Sequence, residues 1–278
     1  MNATDTVSVE SHTQDLTRKE GWFEEFWQYR ELFLFFVWRD IKIRYKQTFL
    51  GAAWAVIQPF FTMIVFTLFF GKLAKMPSDG VPYPIFSYCA LLPWTYFSQA
   101  LALSGNSLVS NANLIRKVYF PRLALPAAAT LSGLVDFAIA SVVLGGMMWY
   151  YDFAPTWQLL LWPLLVIPLV LLACGVGMIL SSLNVKYRDI KYTIPFGIQL
   201  WLFLTPIIYP TSIIPEQFRP LAALNPLTGI IEAFRATLLP TRELDWQALL
   251  ISIALTIVIF VLGALYFRKT ERAFADII

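Results

Sequence analysis

Arg39, Lys42, Arg44 and Lys46 place four cations in the nine positions 38–46, against the single carboxylate of Asp40. The charge then stops: from Gln47 to Gly71 there is no Asp, Glu, Lys or Arg. A basic run that ends at an apolar stretch is suited to holding anionic headgroups at a membrane surface, at about 1 kcal/mol per cation. A second group stands in apolar surroundings. Asp136 is the one carboxylate deep inside a long apolar window. An acid at that depth is a candidate for handling ions or substrate. No intramembrane Lys, Arg or His accompanies it, and Ser132 and Ser141 are the nearby hydrogen-bonding groups. Its role is open between a structural one, which is preferred, a pore-facing or helix-interface one, and a proton relay.

Covalent and nucleotide chemistry find no seat here. There is no Gly-x-x-x-x-Gly-Lys-Ser/Thr loop, and the Gly71–Lys72 pair has no glycine five positions before it. HExxH and GxSxG are missing, as are paired carboxylates suited to a soluble cleft. Cys89 and Cys174 sit apart in apolar windows, which suggests neither a disulfide framework nor a zinc site. His12, the one histidine, lies in a polar tail without co-ligands. The chain therefore reads as no enzyme and as carrying no cofactor of its own. A net charge of +3 implies no general attraction to nucleic acid.

The elements that position these residues follow from where charge is missing. Charged residues make up 14% of the 278-residue chain and hydrophobic ones 58%, and long windows carry no charge. A bilayer core needs roughly 20 apolar residues per helix. Six candidate spans result, at about 52–70, 84–107, 123–150, 157–183, 193–209 and 246–267. With the N-terminus placed in the cytoplasm, 16 of the 21 Lys and Arg residues fall on the inner side and 5 outside: Lys72, Lys75, Arg219, Arg235 and Arg242. That bias fits the positive-inside rule and predicts an all-α, multi-pass membrane protein with both termini cytoplasmic. The polar N-terminal tail, 1–20, has no apolar core of the signal-peptide kind.

Three segments outside the spans carry patterns of their own. Residues 21–38 (GWFEEFWQYRELFLFFVW) repeat aromatics near helical spacing, and are too short and too charged to cross a bilayer. They predict an amphipathic helix in the interface plane, or else one packed on a soluble domain. Residues 211–240 are half apolar yet broken by Pro215, Pro220, Pro226 and Pro240. They predict two short re-entrant helices that line or cover an opening, with a helix on the headgroups as the alternative. In the second of these, Asn225 would cap a helix with Pro226 at its first position, and Ile230, Ile231, Phe234 and Leu238 would face one way. Residues 111–122 (NANLIRKVYFPR) set Leu114, Ile115 and Val118 beside Arg116 and Lys117, which suits a docking knob for a partner or a headgroup anchor. Within the third span, the small pairs Ala128–Ser132 and Ala129–Gly133 permit close helix approach.

RDIKIRYKQTFLGAAWAVIQP, LLPWTYFSQAL, NANLIRKVYFPRLALP, NVKYRDIKYTIPF, TPIIYP and LNPLTGIIEAFR occur in this order across roughly residues 20–270. Together they resemble the ABC exporter permeases for polysaccharides and lipid-linked glycans, among them those for lipopolysaccharide O-antigen, teichoic acid and capsule. The resemblance implies a homodimer of six-span subunits in the bacterial inner membrane, working with two cytoplasmic ATPase subunits that hold ATP and Mg. It makes 111–120 a coupling helix, with Asn113, Leu114, Ile115, Arg116 and Lys117 against the ATPase. It implies a channel at the dimer interface for an undecaprenyl-linked glycan, most often O-antigen. Phe60, Phe66, Phe69, Trp201 and Phe203 are the candidates for an aromatic sliding surface. Arg39, Lys42, Arg44 and Lys46 are candidates for the lipid diphosphate as well as for headgroups. Two other classes compete: an ATP-independent secondary transporter using Asp136, and a membrane-bound transferase, for which no catalytic constellation is present.

Overall fold

The computed structural model describes residues 28–46, 51–154, 156–187, 189–239, 243–271 and 274. The tail 1–20, His12, the first part of the 21–38 segment and the charge edge at 47–50 lie outside the described residues, as do Arg188, Arg242 and Arg272. The described residues are almost wholly helical. In chain order the α-helices are α1 (Arg30–Lys46), α2 (Ala53–Phe66), α3 (Tyr83–Ser110), α4 (Ala112–Lys117), α5 (Ala124–Ser132), α6 (Leu134–Tyr150), α7 (Trp162–Lys186), α8 (Ile190–Leu204), α9 (Arg219–Ala223), α10 (Pro226–Leu238) and α11 (Trp246–Glu271).

Four stretches are long and apolar enough to cross a bilayer: Ala53–Leu73, Ala124–Tyr150, Trp157–Lys186 and Trp246–Glu271. α8 is apolar but shorter. α3 has 28 residues and no charge, but Tyr, Ser, Gln and Asn dilute its apolar character. Its burial explains that composition. α3 is the hub of the molecule, packed against α2, α5, α6, α7, α8 and α10, so its polar atoms find partners inside protein. Tyr88 and Tyr96 donate to the carbonyls of Ala140 and Thr130 at 3.1 and 3.2 Å.

Several boundaries differ from the sequence reading. The first span continues past Phe66 as a π-helix, Thr67–Leu73. The third is two helices that meet at Gly133. The fifth stops at Leu204, because Pro206 cannot supply the next helical N–H. The 211–240 segment makes two 3₁₀ turns (Thr211–Ile213 and Glu216–Phe218) in addition to the two short helices α9 and α10.

The small pairs on α5 do pack closely: Ala128, Ala129 and Ser132 are buried, against α3, α7 and α1. A tighter crossing joins α7 to α11. A Cβ on Gly263 would lie 2.3 Å from the Gly175 carbonyl oxygen, so no larger residue fits either position without separating the helices.

The N-terminal helix is the main correction. The basic run lies inside α1 rather than beyond its end. Phe36 is buried, 5.2 Å from the Phe120 ring, with the Arg39 guanidinium 5.0 Å over its face. α1 rests on α5. Its outer face carries Leu34, Phe35, Trp38 and Ile43, all exposed, together with Lys42 and Lys46. Both faces are thus largely apolar, which suits a helix with protein on one side and lipid on the other.

Candidate functional site

Three features stand out among the described residues, and the first is a polar seam. Along α3 the half-buried positions Thr95, Ser98, Gln99, Ala102 and Asn106 recur at helical spacing, so they share one face. On one side the seam meets α2, where Gln99 Nε2 donates to Gln58 Oε1 at 3.2 Å. On the other it borders α8, whose Trp201 ring packs edge-on against Phe97 at 5.1 Å. These two flanking helices are sparsely covered. Only Ile194 of α8 is buried, and only Pro59 and Met63 of α2. Polar side chains facing hydrocarbon at this height are costly. The seam is therefore built to meet either another protein surface or water.

The aromatic candidates divide around this seam. Phe203 and Phe69 are exposed. Phe66 packs edge-on against Phe70 at 5.5 Å. Phe60 lines a groove of about 630 Å³ between α2 and α6, on the far side of α2. Trp201 is engaged structurally: its Nε1 donates to Asn225 Oδ1 at 3.0 Å.

That contact belongs to the second feature, the joint between α8 and α10. Asn225 caps α10 as its spacing predicts, accepting from Leu227 N at 3.2 Å with Pro226 at the first turn. The same side chain donates to Thr205 Oγ1 at 2.9 Å. α10 is buried on nearly every side rather than along one face. Within it Arg235, counted from its charge among the outer-side cations, is fully buried. Its guanidinium donates to the carbonyls of Pro206 and Ile207 at 2.6 and 2.7 Å and to Glu232 Oε1 at 2.8 Å, and lies 3.9 Å from the Phe86 ring centre. Tyr83 donates to the next carbonyl, that of Ile208, at 2.7 Å. The backbone released where α8 ends is thus satisfied by side chains, as low-dielectric surroundings require. Asn225→Ala is expected to cost about 1–2 kcal/mol, as loss of a cap with further bonds does. Thermal unfolding of the purified protein measures it.

The third feature lies at the opposite end of the molecule. Arg44 donates a charge-assisted hydrogen bond to Asp136 Oδ2, and Tyr45 donates to Oδ1. Asp136 therefore does not stand alone. Its partners come from α1, while Ser132 and Ser141 bond backbone carbonyls of their own helices. Burial first, and then the bond to Asp136, push the Tyr45 phenol above its ordinary range, so it remains a protonated donor. Arg39 pairs with Asp40 at 2.8 Å. Lys42 and Lys46 remain exposed on the outer face.

Close by, α4 holds the proposed knob in an altered form. Ile115 is buried and Leu114 is partly so, which anchors the turn to the core. Asn113, Arg116, Lys117, Val118 and Tyr119 are the exposed positions. The apolar face tucks inward, and the cations with Val118 and Tyr119 form the outer surface. Arg122 ties the following turn to the end of α11: its N–H donates to Glu271 Oε1 at 3.0 Å and its guanidinium to the Glu271 carbonyl.

Residues 31–239, which hold all three features, match the family model described as ABC-2 type transporter. The chain belongs to this family. Curated relatives agree with that membership. An ABC-2 type transporter relative named O-antigen export system permease protein RfbA, from Myxococcus xanthus, is 28% identical over 91% of this chain and 97% of its own length. A protein of the same name from Klebsiella pneumoniae is 29% identical over 86% of this chain and 92% of its own length. The polysialic acid transport protein KpsM of Escherichia coli is 25% identical over 84% of this chain and 92% of its own length. For the seam and the α4 surface, sequence reasoning fell short for different reasons. The seam was hidden in a window read only for its lack of charge. The α4 surface was visible as a motif, but the direction of its side chains was not.

Proposed function

We propose that this chain is the membrane permease subunit of an ATP-driven exporter of polysaccharide, with lipid-linked O-antigen as the first candidate and capsule or teichoic acid as alternatives within the same class. The observation that carries this reading is the polar seam of α3, left uncovered between α2 and α8. A second copy placed against this face would enclose the seams of both protomers as a hydrophilic path. Such a path suits a glycan, whose length rules out occlusion in one pocket, and whose hydroxyls need polar partners while its C–H faces need apolar ones. The RfbA and KpsM relatives, named for polysaccharide transport, support the substrate class.

In this reading the chain crosses the inner membrane six times, through α2, α3, α5–α6, α7, α8 and α11, with both ends in the cytoplasm. The joint between α8 and α10, with α9 and the turns before it, forms the re-entrant external cover. α1 lies in the cytoplasmic interface, where Lys42 and Lys46 remain available to headgroups or to a carrier diphosphate. Two ATPase subunits on separate chains supply ATP and Mg and dock on α4. The proton-relay alternative loses weight because Asp136 is held by an arginine and a tyrosine.

Deleting this chain should leave glycan accumulated inside the cell and missing from the surface; unchanged surface glycan would end the export reading. Cysteines at Gln99 and Asn106 should form cross-links between copies, and their failure under oxidation would refute the paired-seam arrangement. Arg116→Glu with Lys117→Glu should abolish co-purification of the companion ATPase and cut export at least 10-fold. Both side chains are exposed, so folding should be unaffected.

A further inference from the structure

Between α2 and α6 runs the groove of about 630 Å³ that Phe60 borders, and no residue of the α3 seam lines it. Its walls are apolar, with Phe60, Ile64 and Leu68 on one side and Val143 and Met147 on the other. Gly146 belongs to the second wall, and a Cβ there would meet nothing within 4 Å. Glycine weakens a helix interior. Here it serves no close helix contact among the described residues, and its effect is to keep the groove deep. From Phe60 to Lys72, along α2 and the π-helix that continues it, the groove extends roughly 18 Å at the usual helical rise. One leaflet of a bilayer core, half of about 30 Å, is of similar depth.

Lys72 stands at one end of this groove, where Tyr150, Tyr151 and Pro84 of α3 complete the lining. It is exposed, and it is the one charged residue that lines the groove. Its place there depends on the π-helix Thr67–Leu73. In an α-helix a row spaced by four drifts about 40° per step, so Lys72 would sit about 120° round the axis from Phe60. The wider π winding, with its i→i+5 bonds, turns that drift back, and the ammonium joins the face that Phe60, Ile64 and Leu68 share. The carboxylates nearest in sequence, Asp79 and Asp152, do not line the groove, and Asp79 already accepts from Ser212 at 2.9 Å. Lys75 is exposed and also lies outside the lining. A leaflet-deep apolar groove with a cation at its mouth matches an amphiphile with a negative head.

We propose that this groove binds an anionic phospholipid, with one acyl chain along the apolar walls and the phosphate against Lys72. The leaflet that supplies it rests on the export reading, whose topology sets this end outside; the binding itself does not. Tyr150 and Tyr151 sit where aromatic rings meet headgroups. A polyprenyl carrier is far longer than a groove one leaflet deep, and the paired arrangement proposed above places the second copy on the opposite side of α2. Bilayer lipid is therefore the occupant that fits. A lysine at a membrane surface is worth about 5-fold in preference for a negative head, and the groove adds a fixed place for the chain. The lipid would then act as a wedge that sets the spacing of α2 and α6.

The test uses the full chain with its companion ATPase in detergent, titrated with phosphatidylglycerol or with phosphatidylcholine of the same acyl chains. Native mass spectrometry counts the lipids retained. The unaltered protein should retain phosphatidylglycerol about 5-fold better. Lys72→Gln, at an exposed position, should bring the two lipids level, whereas Lys75→Gln should leave the preference in place. Gly146→Leu, which fills open space in the groove, should lower retention of both lipids at least 5-fold without lowering the melting temperature. If that variant folds poorly, the Lys72→Gln and Lys75→Gln arms still decide. Equal retention of the two lipids by the unaltered protein, or a preference that survives Lys72→Gln, overturns the site. So does efficient cross-linking between copies through Leu68→Cys, which would show a second chain in the groove. Failure of the export reading is seen separately, as surface glycan that persists in cells lacking the chain, and it leaves the retained lipid unchanged.

Discussion

Arg235→Met should destabilise the protein by about 3–5 kcal/mol, the range found when one partner of a buried ion pair is removed. The side chain is fully buried and does three things at once. It satisfies two carbonyls of the unwound stretch after α8, neutralises Glu232, and stacks on Phe86. Methionine retains the volume but withdraws the guanidinium from two carbonyls and a carboxylate in dry surroundings. Lysine should recover only part of the loss, since a single ammonium cannot reproduce the fork that reaches both carbonyls. Glu232→Gln, which keeps an acceptor, should cost less than Arg235→Met. The double variant Arg235→Met with Glu232→Leu should cost less than the sum of its single changes, because no stranded charge remains. Thermal melting of the purified protein in nanodiscs reads these differences, as a fall on the order of 10 °C for Arg235→Met. A fall of only a degree or two would show that α10 holds its place without the arginine. Export should fall with stability here, because the same contacts fix the joint between α8 and α10.

How far the sequence foretold this arrangement depends on whether the signal was local. Uncharged windows locate the long helices, because the cost of charge in hydrocarbon acts residue by residue. The Asn225–Pro226 pair announces the start of α10, because capping needs only neighbours. Arg235 gave no sign of its burial, for the opposite reason. Its burial depends on Pro206 and Ile207, almost thirty positions earlier, offering carbonyls at a helix end. Gly175 and Gly263 likewise reveal their purpose only when the two helices cross. The seam of α3 was legible in principle, since Thr95, Ser98, Gln99 and Asn106 share one helical face. Charge counting alone passes over it. Of the apolar residues at 111–120, Ile115 and Leu114 turn inward while Val118 stays out, and a six-residue helix gives too little periodicity to foresee that.

Arg44→Gln is expected to be the more damaging of the two single changes where α1 meets α6, at about 2–4 kcal/mol. That is somewhat below the cost at a fully buried pair, because both side chains keep some exposure. The change strands Asp136 inside a helix boundary with, among the described residues, the Tyr45 hydroxyl as its remaining donor. Asp136→Asn should cost less, since the amide oxygen still accepts from Arg44 while the Tyr45 hydroxyl can turn to accept from the amide nitrogen. Combining the two should restore most of the loss, and the difference from additivity measures the pair directly. The outcome also separates two views of Asp136. If Asp136→Asn supports export at more than half the normal rate once its stability is matched, the carboxylate serves to seat α1 on α6. If export stops while the ATPase still docks and hydrolyses nucleotide, the acid has a role in transport that its ion pair does not explain. The structural role is the expected result, because α1, which carries the basic run, is held against the bundle by a buried phenylalanine, its partly buried neighbours and this ion pair. Loss of the pair should therefore make α1 more susceptible to protease while α7 and α11, locked through Gly175 and Gly263, remain protected.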